Sequence, residues 1–333
     1  MRFRMPLLAL ATSLLAATTP GSGYRVLRTF PVAGPGGWDY VTLDGNRGHL
    51  FVTHGDAVAV LDARTGKEVG RITDTPGVHG VALVPTAGRG YISEGKADAA
   101  AIFDLATLKK LGSVPTGKGP DAIIADPADG FVLTFNGRSD DATVIEAATG
   151  KVHGTIPLGG RPEFAVADGK GHVYDNLEDK SEVVELDPRA LTVVARWPLA
   201  PGESPSALAM DPVSRRLFVG CHNQKLVVMD ADNGKVVTTL PIGRGVDAAR
   251  FDPGTDFVFA SCGDGTTTVI HEGKGDHFEV VDTLRTRRSA RTMELDPATH
   301  EIFLPFAQLQ PNPAGGWPRV VPGTFSVLVM GRH

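Results

Sequence analysis

One unit recurs seven times along the 333 residues, and no other feature restricts the fold as strongly. With Asp39, His79, Asp121, Glu163, Ser206, Asp247 and Arg291 as anchors, successive units are spaced by 40, 42, 42, 43, 41 and 44 residues. That period is the length of one four-stranded propeller blade, a unit that buries its faces only by stacking on neighbours. After each anchor comes an alternating segment, as in Asp121-Ala-Ile-Ile-Ala-Asp and Ser206-Ala-Leu-Ala-Met-Asp, and then a turn such as Asp126-Pro-Ala-Asp-Gly, Asp211-Pro-Val-Ser, Asp252-Pro-Gly-Thr or Asp296-Pro-Ala-Thr. Asp-Pro forces the reversal, because Pro presets φ and the Asp carboxylate caps the turn. A second strand follows, aromatic and β-branched: Leu50-Phe-Val-Thr, Gly90-Tyr-Ile-Ser, Leu217-Phe-Val-Gly, Ile302-Phe-Leu-Pro. Third strands such as Ala57-Val-Ala-Val-Leu and Leu226-Val-Val-Met lead into near-copied hairpins, Asp62-Ala-Arg-Thr-Gly-Lys, Glu146-Ala-Ala-Thr-Gly-Lys and Asp230-Ala-Asp-Asn-Gly-Lys. Gly66, Gly150 and Gly234 stand where such a turn needs positive φ. With a fourth strand per unit, the pattern predicts an all-β, seven-bladed propeller of antiparallel blades.

The two ends test this independently. Tyr24-Arg-Val-Leu-Arg-Thr-Phe-Pro-Val reads as a fourth strand with no first three before it, and the last unit stops after its third strand, Phe325-Ser-Val-Leu-Val-Met. Strand 24–32 is therefore expected to complete the last blade, residues 290–333, closing the ring and removing the open edges of an unclosed array. Residues 24–333 form one domain in this reading. Ahead of them, Arg2 and Arg4, an apolar run from Leu7 to Ala17 and a turn-prone stretch to Gly23 read as a secretory signal peptide over 1–23, too short in its apolar part to span a bilayer. A periplasmic or secreted protein without a membrane anchor is the expectation. A net charge of -5 gives no general pull toward phosphate backbones, so nucleic acid is a disfavoured partner.

Phe51-Val-Thr-His, Tyr91-Ile-Ser-Glu and the Thr-Gly-Lys hairpins together resemble the YVTN, or YncE-type, β-propeller repeat of exported bacterial proteins, over nearly the whole chain from Tyr24. The resemblance implies the fold and a functional surface at one mouth of the central channel. Where that family usually has Asn after Tyr-Val-Thr, this chain has His54, Glu94, Phe135, Asn176, Cys221, Ser261 and Pro305.

In a propeller the loop into the first strand and the loop out of the second open on one face beside the axis. Two residue sets are therefore expected to converge there: the seven anchors, and His54, Glu94, Asn136, Asn176, His222, Cys262 and Asp264. A mouth lined by such groups is a candidate site for a cation or a polar ligand. The alternative is structural: recurring acids cap the first-strand amides. His54, His79 and Glu94, with Asp39 beside them, form a candidate set for a divalent metal. Cys221 and Cys262 on adjacent blades leave disulfide, free thiols and metal ligation open. The last blade carries a long insertion, Ala307 to Gly323, with Trp317 and Arg319, either a binding loop or a cover for the closure. Trp38 adds an aromatic wall, and the run Arg285, Arg287, Arg288, Arg291 is expected to neutralise Asp247 and Asp39 or to meet an anion. No nucleophile elbow, phosphate loop or local metalloprotease motif occurs. The sequence thus predicts a binding or interaction module for a small polar ligand or a periplasmic protein, with a metal-assisted hydrolase or lyase as the alternative.

Overall fold

The structure is a computed structural model, and it describes residues 21–313, 315, 316 and 318–332. Seven four-stranded antiparallel sheets are arranged in a ring. Blade 1 runs Val41–Asp44, His49–His54, Ala57–Asp62 and Glu68–Ile72 from the axis outward, and blades 2 to 6 repeat the same order. The innermost strands touch their neighbours all the way round, including Val41–Asp44 against Glu294–Asp296 of blade 7. In blade 7 the outermost strand is Arg25–Pro31, paired antiparallel with Ser326–Gly331, so the ring closes as the sequence predicts.

The local chemistry matches the motifs. Asp211 Oδ1 accepts from Val213 N at 2.9 Å and Asp296 Oδ1 from Ala298 N at 2.9 Å, so each Asp-Pro turn is held by its own carboxylate. In the copied hairpins Gly66, Gly150 and Gly234 adopt φ of 72°, 75° and 70°. A Cβ on Gly234 would lie 1.9 Å from the Trp197 ring, so the turn needs glycine for space as well as for conformation. The second-strand aromatics Phe51, Tyr91, Tyr174, Phe218 and Phe259 are fully buried between blades. Tyr91 and Tyr174 keep their hydroxyls satisfied by donating to the Ala147 and Ala231 carbonyls of the next blade's hairpin.

The insertion of blade 7 folds into a small hairpin, Leu309–Gln310 against Arg319–Val320. Trp317 and most of the expected signal segment, residues 1–20, lie outside the described residues. From that segment Ser22 is described and buried, its hydroxyl donating to Asp282 at 2.7 Å.

Candidate functional site

Each anchor sits at the start of an innermost strand, where the backbone departs from regular pairing. In blade 2 Val78 pairs with Glu94 but Val81 with Ile92, so one strand spends an extra residue at His79–Gly80. The same one-residue bulge falls between Pro120 and Ile123, Pro162 and Ala165, Pro205 and Ala207, and Val246 and Ala248. In blades 1 and 7 the ladder begins only after the anchor, at Val41 and Glu294. Regular strands send side chains alternately to two faces, both covered here by neighbouring blades, and a bulge re-aims the extra residue. The sequence reading did not foresee the bulges; a repeated polar residue just ahead of an alternating apolar run was their only trace.

The bulges are held from the second strands. Thr53 Oγ1, Ser93 Oγ and Asn176 Oδ1 accept from the amides of Asp39, Gly80 and Phe164 at 3.0, 2.8 and 2.8 Å. Several of these polar groups also donate to the next blade: Ser93 to the Asp121 carbonyl at 2.6 Å, Asn176 to Ala207 at 3.2 Å, and Ser261 to Arg291. Ser206 reaches Val246 at 2.6 Å, and Thr292 returns to Asp39 at 2.7 Å across the closure. Second-strand side chains therefore satisfy these amides, a role the structural alternative gave to the anchor acids.

The anchor acids pair with each other's neighbours instead. His79 Nδ1 lies 2.7 Å from Asp39 Oδ2 and 3.3 Å from Asp121 Oδ1. Arg291 is paired to Asp247 and stands 3.7 Å from Asp39 Oδ1. Six of the seven anchors are thus ionisable groups around one end of the channel, with Ser206 the exception. Water reaches 36% of the His79 side chain and 31% of Asp121, so the ring floors an open bowl. Burial alone would lower the His79 pKa, but the Asp39 hydrogen bond and the Asp121 and Asp39 charges outweigh it and raise it to about 9. Burial, reinforced by Asp39, pushes Asp121 up to about 6. Burial lifts Asp247 to about 7 against the pull of Arg291. Glu163, half-buried and facing the Asp121 and Asp247 charges, is pushed up to about 10 by desolvation and those charges and carries its proton at neutral pH. Beneath the ring, the Tyr40 hydroxyl donates to the Glu163 carbonyl at 3.0 Å and its ring packs on Phe164 at 5.4 Å.

The second expected set divides. Glu94 is buried and bound to Lys110 at 2.6 Å. His54 is 2% exposed and stacks on Phe325 with ring centroids 4.1 Å apart. The metal set His54, His79, Glu94 is therefore not assembled: Glu94 has a cation in its place, and His54 is turned onto an aromatic. The triad that does converge is Asp39, His79 and Asp121, whose ligand atoms all lie within 4.8 Å of one another. Ligands about 2.0–2.2 Å from a tetrahedral metal stand roughly 3.3–3.5 Å apart, so the His79–Asp121 spacing of 3.3 Å fits and the 2.7 Å His79–Asp39 pair would have to open. A cation there has to displace the His79 proton.

Asn136 is spent on Asp141 and Thr143, at 2.6 and 3.0 Å. Asn176 lies one residue earlier in its strand than the second-strand ends His54, Glu94, Cys221 and Cys262; the strand of blade 4 ends at Leu177, so the alignment on Asn176, Phe135, Ser261 and Pro305 is shifted by one. His222 is exposed, 3.7 Å from Glu178. Cys221 and Cys262 are separate buried thiols that burial raises to about 12, which removes the disulfide and leaves poor metal ligands. Trp38 packs on Phe325 at 5.3 Å and walls a cavity of about 710 Å³ that reaches Asp39, His79 and Arg291. Arg319 is exposed on the insertion hairpin. No family model and no curated protein matches the chain, so the likeness to the YVTN repeat rests on the motifs quoted, with which the seven-bladed fold is compatible.

Proposed function

We propose that this chain is an exported binding module that recognises a small polar ligand at the ring end of its channel. The observation that carries the reading is the ring itself: six blades each bring an ionisable group to the start of the innermost strand, into a bowl with donors and acceptors side by side. Burial-shifted groups gathered in a concave site are the ordinary signature of recognition or chemistry. The test is a thermal-shift screen of small polar compounds against the processed protein. A ligand that raises the midpoint of the parent but not of Asp121→Asn supports the reading; no ligand with that behaviour removes it. Export is checked by cell fractionation and N-terminal sequencing, with a processed start near Tyr24 as the expected result.

A metal-assisted hydrolase or lyase is the second reading, favoured by the convergence of Asp39, His79 and Asp121. In it those three side chains would hold a divalent ion, which supplies Lewis acidity or an activated water, while protonated Glu163 is placed to give a proton. Elemental analysis of purified protein decides: stoichiometric metal that is lost in His79→Ala supports this reading, and its absence after metal-supplemented expression ends it.

A further inference from the structure

Of the basic run ahead of blade 7, only Arg291 turns to the ring, where it pairs with Asp247. Arg285, Arg287 and Arg288 are exposed, as are Arg244 in the loop entering blade 6 and Arg319 on the insertion hairpin. Among the described residues, none of these five side chains has a hydrogen bond or an ion pair. The same end of blades 1 to 4 is built differently, with its arginines spent on acids: Arg71 on Glu68, Arg138 on Asp98 at 2.7 Å, Arg161 on Glu178 and Arg196 on Glu182 at 3.6 Å. The loops 241–246, 262–266, 285–293 and 306–325 contain a single acid, Asp264. Its carboxylate accepts from the Arg244 amide at 2.8 Å and from the Thr266 hydroxyl at 2.7 Å. The sector of blades 6 and 7 therefore keeps an excess of positive charge after every ion pair is counted.

These loops are laced into one surface. The Arg244 carbonyl accepts from the Asp264 amide at 3.2 Å, and the Gly265 and Gly263 carbonyls accept from the Thr286 and Ser289 amides at 2.8 and 2.9 Å. A Cβ on Gly265 would lie 3.1 Å from the Arg288 nitrogen, so a glycine there lets the two loops close on each other. Ser289 donates to the Ala307 carbonyl at 2.7 Å and accepts from its amide at 3.2 Å, which fixes the root of the insertion beside Arg288. The hairpin beyond that root carries Arg319 and Leu309, the latter 45% exposed. None of the cavities of about 710, 380 and 350 Å³ is lined by any of the five arginines. An open face of this kind has no enclosed seat for one small anion. Weakly hydrated guanidinium forks with an apolar side chain among them suit an extended array of phosphates with hydrocarbon beneath it.

We propose that the blade 6 and blade 7 sector of the ring end is a peripheral docking surface for a bilayer containing anionic phospholipid, with Arg244, Arg285, Arg287, Arg288 and Arg319 on the phosphates and Leu309 entering the headgroup boundary. Each cation held at such a surface raises the affinity about fivefold. The net charge of -5 does not oppose the contact, because at physiological salt charges more than about 8 Å away are largely screened.

Vesicle flotation tests the assignment, with vesicles of phosphatidylcholine alone and of an equal mixture with phosphatidylglycerol. The protein is expected to float with the mixed vesicles only, and to be released at about 1 M salt, where the Debye length falls to about 3 Å. The double variant Arg287→Ala, Arg288→Ala is expected to partition at least about tenfold more weakly, and Leu309→Ser several-fold more weakly. All three side chains are exposed and the two arginines have no partners, so an unchanged urea midpoint should accompany these losses. No flotation, equal flotation with both vesicles, or unchanged partitioning of the double variant overturns the proposal. Release by millimolar inorganic phosphate overturns it in favour of a free anion. Retention on polyglutamate beads with no flotation, or binding by Leu309→Ser equal to the parent's, overturns it in favour of a soluble acidic partner.

Discussion

The two ends of the same seven innermost strands behave as different materials. At the ring end, one residue per strand sits on or just before a break in pairing and is ionisable in six blades. A few residues on, the strands are regular and enclose an apolar channel of about 350 Å³ lined by side chains such as Val81, Ile124, Phe164, Leu208 and Met210. Tyr40 and Phe164 separate the two zones. Glu163 and Phe164 are adjacent in sequence, yet one belongs to the bowl and the other to the core. A polar ring is thus compatible with a tightly packed propeller because in five blades a single inserted residue, and in blades 1 and 7 a position ahead of the ladder, keeps the anchor off the inter-blade surface.

That contrast breaks first if Phe164 and Glu163 respond alike. Phe164→Ala is expected to destabilise by about 3–5 kcal/mol, read from the urea midpoint at unchanged slope, because it opens a cavity under the ring. A loss under about 1 kcal/mol would mean that the channel end is not a packed core.

Asp175 sharpens the comparison from the other side. It lies in the regular part of blade 4's second strand, is fully buried, and neither carboxyl oxygen has a partner. Burial raises its pKa well above the usual carboxylate range. Asp175→Val is expected to stabilise by roughly 1–3 kcal/mol at pH 7, since Val52 and Val219 fill the matching positions of blades 1 and 5. Because the folded-state pKa is the raised one, the parent's contribution from this group is whole below about pH 3.9 and is lost as pH rises toward the folded value. A pH series of urea midpoints should show the advantage of the Val variant growing with pH; a constant gap contradicts the protonated assignment.

At the ring, charge rather than packing should respond. In Asp121→Asn the His79 midpoint, followed by NMR of the imidazole, is expected to fall from about 9 toward 6.5, because one of its raising charges is gone. His79 is raised on folding, so its contribution is complete below about pH 6.5 and disappears as pH climbs through 9. That alkaline loss should be smaller in the Asn variant. The least effect is expected from Glu163→Gln below about pH 4.5, under about 0.5 kcal/mol, since the parent carboxyl carries a proton there in the folded and the unfolded chain alike. Above that pH the unfolded parent ionises while the folded one keeps its proton, so the parent should weaken steadily relative to the Gln variant until the pH reaches about 10.

Much of the architecture was legible in the chain because its signals are local. The Asp-Pro turns, the Thr-Gly-Lys hairpins and the orphan strand after Tyr24 each specify a piece of backbone within a few residues. The anchors were legible as a ring for the same reason, since a fixed period puts equivalent residues at equivalent heights. The second-strand set was not. Nothing near Glu94 in sequence signals Lys110 on the fourth strand, and nothing near His54 signals Phe325 on the last blade. The register of Asn176 failed by one residue because a period-two strand gives no warning when an alignment slips.

Repeat length, turn chemistry and the split between the two chain ends determined by themselves that there are seven blades, where the ring closes and which residue of each blade stands nearest the axis. Only the tertiary structure decided what those residues do to one another. Whether an acid is charged, protonated or paired depends on burial and on neighbours contributed by other blades, as the contrast between Asp39, held by His79 and Arg291, and Glu163, surrounded by other acids, makes plain.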